Sequence, residues 1–264
     1  MPVVARLRPA LGLLFAGLLA VSGCATPPPA GDAEALAEFK ETNDPLEPAN
    51  RVMYEINDGL DTAILRPLAQ GYRAITPQEV RTGVHNLLTN MGTPVIFAND
   101  VLQTKPRRAG DSFMRFLINT TVGVAGIFDV AKEWGYPHHD NGFGTTLALW
   151  GVDEGPFLFL PVLGPSNPRD LVGFGVDTVT DPWMWVGAGL GKTIFDWSRV
   201  GLSAVSQRER VLDPIDDIKK TALDPYATFR SLYRQHRAAE IEAARKDERR
   251  TVPNWFSKPT NQQP

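Results

Sequence analysis

Cysteine is almost missing from this chain, with Cys24 the only one among 264 residues. An oxidising compartment therefore offers no intramolecular disulfide, and stability has to come from burial and packing. Histidine is nearly as scarce, at four residues, and the patterns HExxH, GxSxG and CxxC are absent, so neither a catalytic nor a metal-ligating set is legible. Beyond Cys24 no apolar run reaches the roughly 18 residues of a membrane span. That argues against a polytopic membrane protein but leaves room for amphipathic helices lying in one leaflet. Charge of one sign is lacking as well: 27 basic side chains stand against 30 acidic ones, a formal net charge of −3, which argues against nucleic acid as a partner.

The one cysteine sits at an informative place. Arg6 and Arg8 form a basic start, Leu11 to Ala20 are apolar, and Val21-Ser22-Gly23-Cys24 closes the segment with small residues. This reads as a bacterial lipobox, with residues 1–23 as signal peptide, cleavage between Gly23 and Cys24, and Cys24 as the lipid attachment site. The alternative is a plain secretory signal with a cysteine beside it by chance. Two or more acyl chains, at about 0.8 kcal/mol per buried methylene, give stable anchoring. Ala25, with no aspartate in that place, predicts delivery to the outer membrane. The mature chain is expected to face the periplasm of a Gram-negative bacterium, with residues 24–40 as tether, 41–249 as one folded domain and 250–264 as a disordered tail.

Within 41–249 the punctuation is helical. Asp44-Pro45-Leu46-Glu47 and Thr76-Pro77-Gln78-Glu79 each combine a cap residue, a proline and a capping-box glutamate. Leu46, Ala49, Met53, Ile56, Leu60 and Ile64 then recur at helical spacing until Pro67, and Val80, Val84, Leu87, Leu88 and Met91 do the same. Thr93-Pro94 predicts a further short helix, Asp111 a cap before Phe113, Phe116 and Leu117, and Asp213-Pro214 and Asp224-Pro225 two more starts. The last opens a long charged helix to about Glu248 with a solvated polar face. The apolar stripes are expected to be core. The fold class is all-α, with Tyr136 to Pro165 as the exception.

That exception is dense in glycine and aromatic residues: Phe143, Leu147, Trp150, Phe157, Phe159 and Leu160 stand among repeated Gly and Pro without a clean helical period. Two readings stay open, a core strand over 156–163 or an irregular hairpin loop that touches lipid or lines an apolar passage. Pro182-Trp183-Met184-Trp185 adds aromatics of the kind enriched at membrane interfaces. Gly187 to Thr193 resembles a phosphate loop, but Val186 occupies the place of its first glycine. His138-His139-Asp140 reads as a solvated loop or cap, and His85 and His236 as structural. Cofactors and metals are not expected.

Taken together, Asp44-Pro45-Leu46-Glu47 with Asn50-Arg51, Met53-Tyr54, Asn57, Asp61, Arg66-Pro67, Asn86, Asn90, Pro94, Asn99, Leu102-Gln103, Arg115-Phe116 and Asn119 resemble the MlaA (VacJ) family. The likeness continues through Gly123, Gly126, Asp129, Ala131, Phe143-Gly144, Thr146-Leu147, Gly155-Pro156, Leu160-Pro161, Gly164 and Arg169-Asp170, over about 41–235. Pro48-Ala49 and Ile56 depart from the usual pattern. The resemblance implies a single ring-like (doughnut) helical domain embedded in the inner leaflet of the outer membrane, beside trimeric porins of the OmpC and OmpF kind. It also implies passage of misplaced phospholipid through a central channel to a periplasmic carrier similar to MlaC. Phe143, Leu147, Trp150, Phe157, Phe159 and Leu160 are then candidates for that passage. A porin-associated lipoprotein without transport and a lipid-modifying enzyme remain as alternatives.

Overall fold

The computed structural model describes residues 28–29 and 31–249; Gly23, Cys24, the signal segment and the 250–264 tail lie outside them. Helices dominate, and the only sheet among the described residues is a two-stranded antiparallel hairpin. The chain forms two compact units, one of described residues up to Gly59 with Gly155–Pro168, the other of Leu60–Glu154 with the described residues from Arg169 on.

In the first unit, α1 (Ala33–Thr42) replaces the end of the expected tether. Its alanine, glutamate and leucine content explains why, since these are the strongest helix formers. Helix α2 (Glu47–Leu60) follows the Asp44-Pro45 turn. Asn50 and Asn57 lie two turns apart on α2 and so share a face. Asn50 donates to the Phe157 carbonyl at 3.0 Å and accepts from the Phe159 amide at 2.8 Å. Asn57 does the same with the Leu160 carbonyl and the Val162 amide at 2.8 and 2.6 Å. Two side-chain amides thereby act as a second strand for β1 (Leu158–Leu160), whose other edge pairs with β2 (Gly164–Ser166).

In the second unit a π-helical turn (Asp61–Leu65) leads into α3 (Arg66–Ile75). The Arg66 amide reaches the Asp61 carbonyl, an i to i+5 bond, in the turn that accommodates Pro67, which has no amide hydrogen to give. Then come α4 (Gln78–Leu102) and α5 (Pro106–Thr121), a packed helical pair. The short helix expected from Thr93-Pro94 does not exist as a separate element. Pro94 sits inside α4, where it forfeits one backbone bond while α5 packs along the helix. Asp111 does not cap α5 either. The helix begins at Pro106, and the carboxylate of Asp247 accepts from the amides of Arg107 and Arg108 at 3.2 Å each.

Short α6 (Val130–Glu133) and α7 (Phe143–Leu149) precede α8 (Pro168–Thr180), which is followed by α9 (Gly189–Arg210), α10 (Leu212–Thr221) and α11 (Pro225–Arg245). Asp224 caps α11 as expected, accepting from the Ala227 amide at 3.0 Å. Thr76 makes no such side-chain cap, and Asp213 lies inside α10, which begins one residue earlier at Leu212. Helices α7 and α8 meet at paired glycines: a Cβ on Gly173 would stand 2.2 Å from the Gly144 amide nitrogen.

Candidate functional site

The second unit is built with polar groups inside. Asp100 on α4 is wholly buried and accepts from Ser112 Oγ at 2.6 Å and Asn141 Nδ2 at 2.7 Å, with His139 Nε2 at 2.9 Å and Arg108 Nε at 3.5 Å. His139, expected in a solvated loop or a cap, is instead a core side chain, because Asp100 needs partners once it is buried. Next along α4, Asn99 donates to Asp177 at 2.9 Å and accepts from Thr146 at 2.8 Å, and Gln103 donates to Thr146 at 2.8 Å. Asp177 also accepts from the Phe143 amide at 2.9 Å, so α8 supplies the cap that starts α7. Burial pushes the Asp177 carboxyl up from its ordinary value against those two donors.

Charged faces are paired rather than solvated. Arg237 of α11 grips Asp170 through Nε and Nη2, at 2.9 Å each, and Glu240 at 2.7 Å, while Tyr233 donates to Asp170 at 2.8 Å. The expected solvated face of α11 is therefore partly internal, since Asp170 enters it from α8. Arg115 and Asn119 hold Asp129 at 2.8 and 2.9 Å, and their contacts outweigh its burial to keep that carboxyl below its ordinary value.

Ser112, His139 and Asp100 carry the residue types of a catalytic relay without its geometry. One nitrogen, Nε2, faces both the Asp100 carboxylate and, at 3.3 Å, Ser112 Oγ, whereas a relay uses opposite ring nitrogens for base and orienter. The cluster orders α4, α5 and the 137–141 loop.

The apolar stripes expected in the core are only partly covered, with Val84, Leu87, Leu88, Met91 and Phe116 half-buried. Of the first stripe Met53 is buried, whereas Ile56, Leu60 and Ile64 are exposed, as are Val80, Phe113 and Leu117. Helical period identifies a face but not what covers it, and with a hydrogen-bonded interior these faces look outward. On α9 Leu190, Ile194 and Trp197 form an i, i+4, i+7 stripe that is 76%, 58% and 73% exposed, and Trp185 before it is 71% exposed. Water alone disfavours so much outward apolar surface. No helix among the described residues is long and apolar enough to cross a membrane.

The six candidate passage residues divide between the two units. Phe143, Leu147 and Trp150 belong to α7 and its end in the second unit, with Phe143 edge-on to Trp150 at 5.8 Å and Trp150 exposed. In the first unit Phe157 and Phe159 are buried at 2% and 7% exposure, with Phe159 edge-on to Tyr54 at 5.5 Å, and Leu160 is half-buried. Those two phenylalanines are core, which favours the core-strand reading of 156–163 over the lipid-touching loop for them: the Asn50 bonds turn their strand onto α2. Asn50 and Asn57 carried a readable signal, the seven-residue spacing of polar side chains on one helix face.

Comparison with known proteins agrees with this build. The family model described as MlaA lipoprotein matches residues 42–240. The chain belongs to the MlaA lipoprotein family. An MlaA of Haemophilus influenzae, named an intermembrane phospholipid transport system lipoprotein, is 34% identical over 225 residues, 83% of this chain and 84% of that one. Its Escherichia coli namesake is 32% identical over 212 residues, covering 78% and 81%. An uncharacterised Rickettsia felis protein is 37% identical over 203 residues, covering 76% and 79%. A solved structure described as the structural basis for maintenance of bacterial outer membrane lipid asymmetry superposes with a TM-score of 0.65 at 30% identity, over 76% of this chain and 98% of that one. MlaA membership and the helical fold thus rest on sequence and structure together.

His85 on α4 supplies a pH test of this interior. Burial, with the charge of Arg210 adding to it, holds its imidazole down to about 4. The unfolded chain takes up that proton near pH 6.5 and the folded one does not. Stability from this group is present above pH 6.5 and declines as pH falls towards 4, by at most about 1.4 kcal/mol per pH unit. His236 is raised by its contact with Glu240 and works in the opposite sense, its contribution declining as pH rises. Urea midpoints at pH 7 and 5 are expected to differ more for the unaltered chain than for His85→Gln; equal differences contradict the assignment.

Proposed function

We propose that this protein is an outer-membrane lipoprotein that removes misplaced phospholipids from the outer leaflet and passes them to a periplasmic carrier similar to MlaC, without catalysing a reaction. The observation that carries this reading is the outward apolar helix faces over an ion-paired interior, in a chain whose relatives are named for intermembrane phospholipid transport. Apolar faces of that kind suit immersion in one leaflet. A trimeric porin is the proposed neighbour in the membrane. Phe143, Leu147, Trp150 and Leu160 remain the proposed contacts for acyl chains, with Phe157 and Phe159 supporting them from within the first unit.

Purification tests this directly. Phospholipid extracted with the protein supports transport, porin without phospholipid favours a purely structural lipoprotein, and turnover of a phospholipid substrate favours an enzyme.

Cys24 is the proposed anchor. Its replacement by serine removes the thiol that the acyl group needs, so Cys24→Ser is expected to accumulate as uncleaved or mislocalised precursor. Cys24→Ser protein cut after Gly23 and recovered wholly in outer membranes contradicts the lipobox.

A further inference from the structure

We infer that a cleft along α5 binds a small amphiphilic anion, a singly charged carboxylate or phosphate ester joined to a short apolar chain. The cleft has a volume of about 560 Å³, and its lining includes Arg107, Gly110, Asp111 and Met114 of α5, joined by Tyr136 and Arg249. Positions 107, 110, 111 and 114 recur at helical spacing and so share one face, over about 10 Å of helix. A space of this size suits a small ligand. Gly110 sits inside α5, where glycine destabilises a helix relative to alanine. A Cβ on it would meet nothing within 4 Å, so no close packing calls for the glycine. Its effect is to leave the cleft open.

The cleft also holds cationic donors that the fold does not use. Arg249 gives Nε and Nη2 to the two oxygens of Asp111, at 2.8 and 2.6 Å, and Nη2 also reaches the Gly135 carbonyl at 3.2 Å. That carboxylate is only 4% exposed and is already paired, while the Arg249 side chain is 48% exposed and its Nη1 makes no bond among the described residues. Arg107 donates through its backbone amide to Asp247, and its exposed side chain has no partner among the described residues. Two cations therefore line one cleft with a single anion, which leaves one positive charge for a ligand. Guanidinium groups match the paired oxygens of carboxylate and phosphate, and the fixed charge of Asp111 disfavours a second negative charge on the ligand. Met114 and Tyr136, both half-buried, supply the apolar surface, with Tyr136 held by the bond from Arg115 Nη1 to its carbonyl at 2.7 Å.

The test uses the mature protein in a maltoside detergent, with isotopically labelled methionine methyl groups and Met114→Leu to identify the Met114 signal. Hexanoate is added against chloride at equal ionic strength, and hexanol serves as its uncharged counterpart. Hexanoate is expected to move the Met114 methyl resonance to saturation, while hexanol and chloride leave it in place. Arg107→Gln removes a cation from an exposed position and is expected to weaken binding about tenfold or more. Gly110→Leu fills the cleft and is expected to abolish the shift without lowering the urea midpoint, since leucine is the better helix former. Dihexanoyl phosphatidylglycerol separates the two sources of the anion: a shift with it as well as with hexanoate extends the site to lipid head groups, and a shift with hexanoate alone assigns it to carboxylates. No shift beyond chloride, an equal shift with hexanol, or an undiminished shift in either variant that keeps its urea midpoint overturns the site. Co-extracted phospholipid tests the transport reading separately, and neither result decides the other.

Discussion

Asp100→Ala is expected to abolish accumulation of folded protein. Asp100 is fully buried and is the common partner of Ser112, His139 and Asn141, with Arg108 beside it. Truncation strands those donors and leaves the buried Arg108 charge without its counter-ion. Breaking a buried ion pair from one side costs about 3–5 kcal/mol, a large part of the roughly 5–15 kcal/mol that holds a domain together. Ser112→Ala removes one donor to the carboxylate but leaves the ion pair with Arg108 in place, and is expected to cost about 1.5–3 kcal/mol. Steady-state level and the urea midpoint check both. A midpoint for Asp100→Ala close to that of Ser112→Ala contradicts the view that this cluster organises α4 and α5.

Charging the α9 stripe is expected to do the reverse, sparing the fold and weakening the hold on lipid. Leu190 and Trp197 are already exposed, so Leu190→Asp with Trp197→Asp breaks no internal packing. Each side chain contributes roughly 1.5–3 kcal/mol when its apolar surface leaves water. Losing both lowers partition into vesicles by at least about a hundredfold, at 1.4 kcal/mol per factor of ten. The readout is flotation of residues 25–264, made without the acyl group, on phospholipid vesicles, alongside the urea midpoint. An unchanged midpoint with lost flotation is the expected pair. Loss of folding assigns the stripe to a core, and undiminished flotation removes α9 from the lipid-facing surface.

Local chemistry was readable where cause and effect lie within one turn. Asp224-Pro225 announces α11 because the cap and its acceptor are three residues apart. The cap of α5 comes from Asp247, 140 positions away, and no inspection of the Pro106 region reveals it. Helical stripes were equally legible as faces, yet their direction was not. Periodicity is the same whether an apolar face meets a core or lipid, and only the hydrogen-bonded interior around Asp100 and Asp177 shows which way Ile64, Phe113 and Trp197 turn. The glycine and aromatic segment reads as one unit in sequence, but the chain divides between Glu154 and Gly155. Phe157 and Phe159 therefore follow Asn50, while Trp150 follows α7.

Outer-leaflet phospholipid, labelled on intact cells of the parent strain, a strain lacking this gene and the complemented strain, tests the central claim most directly. More surface phospholipid is expected in the strain without the gene, restored by the unaltered gene. Equal surface phospholipid in all three strains, with expression in the parent confirmed, would contradict it.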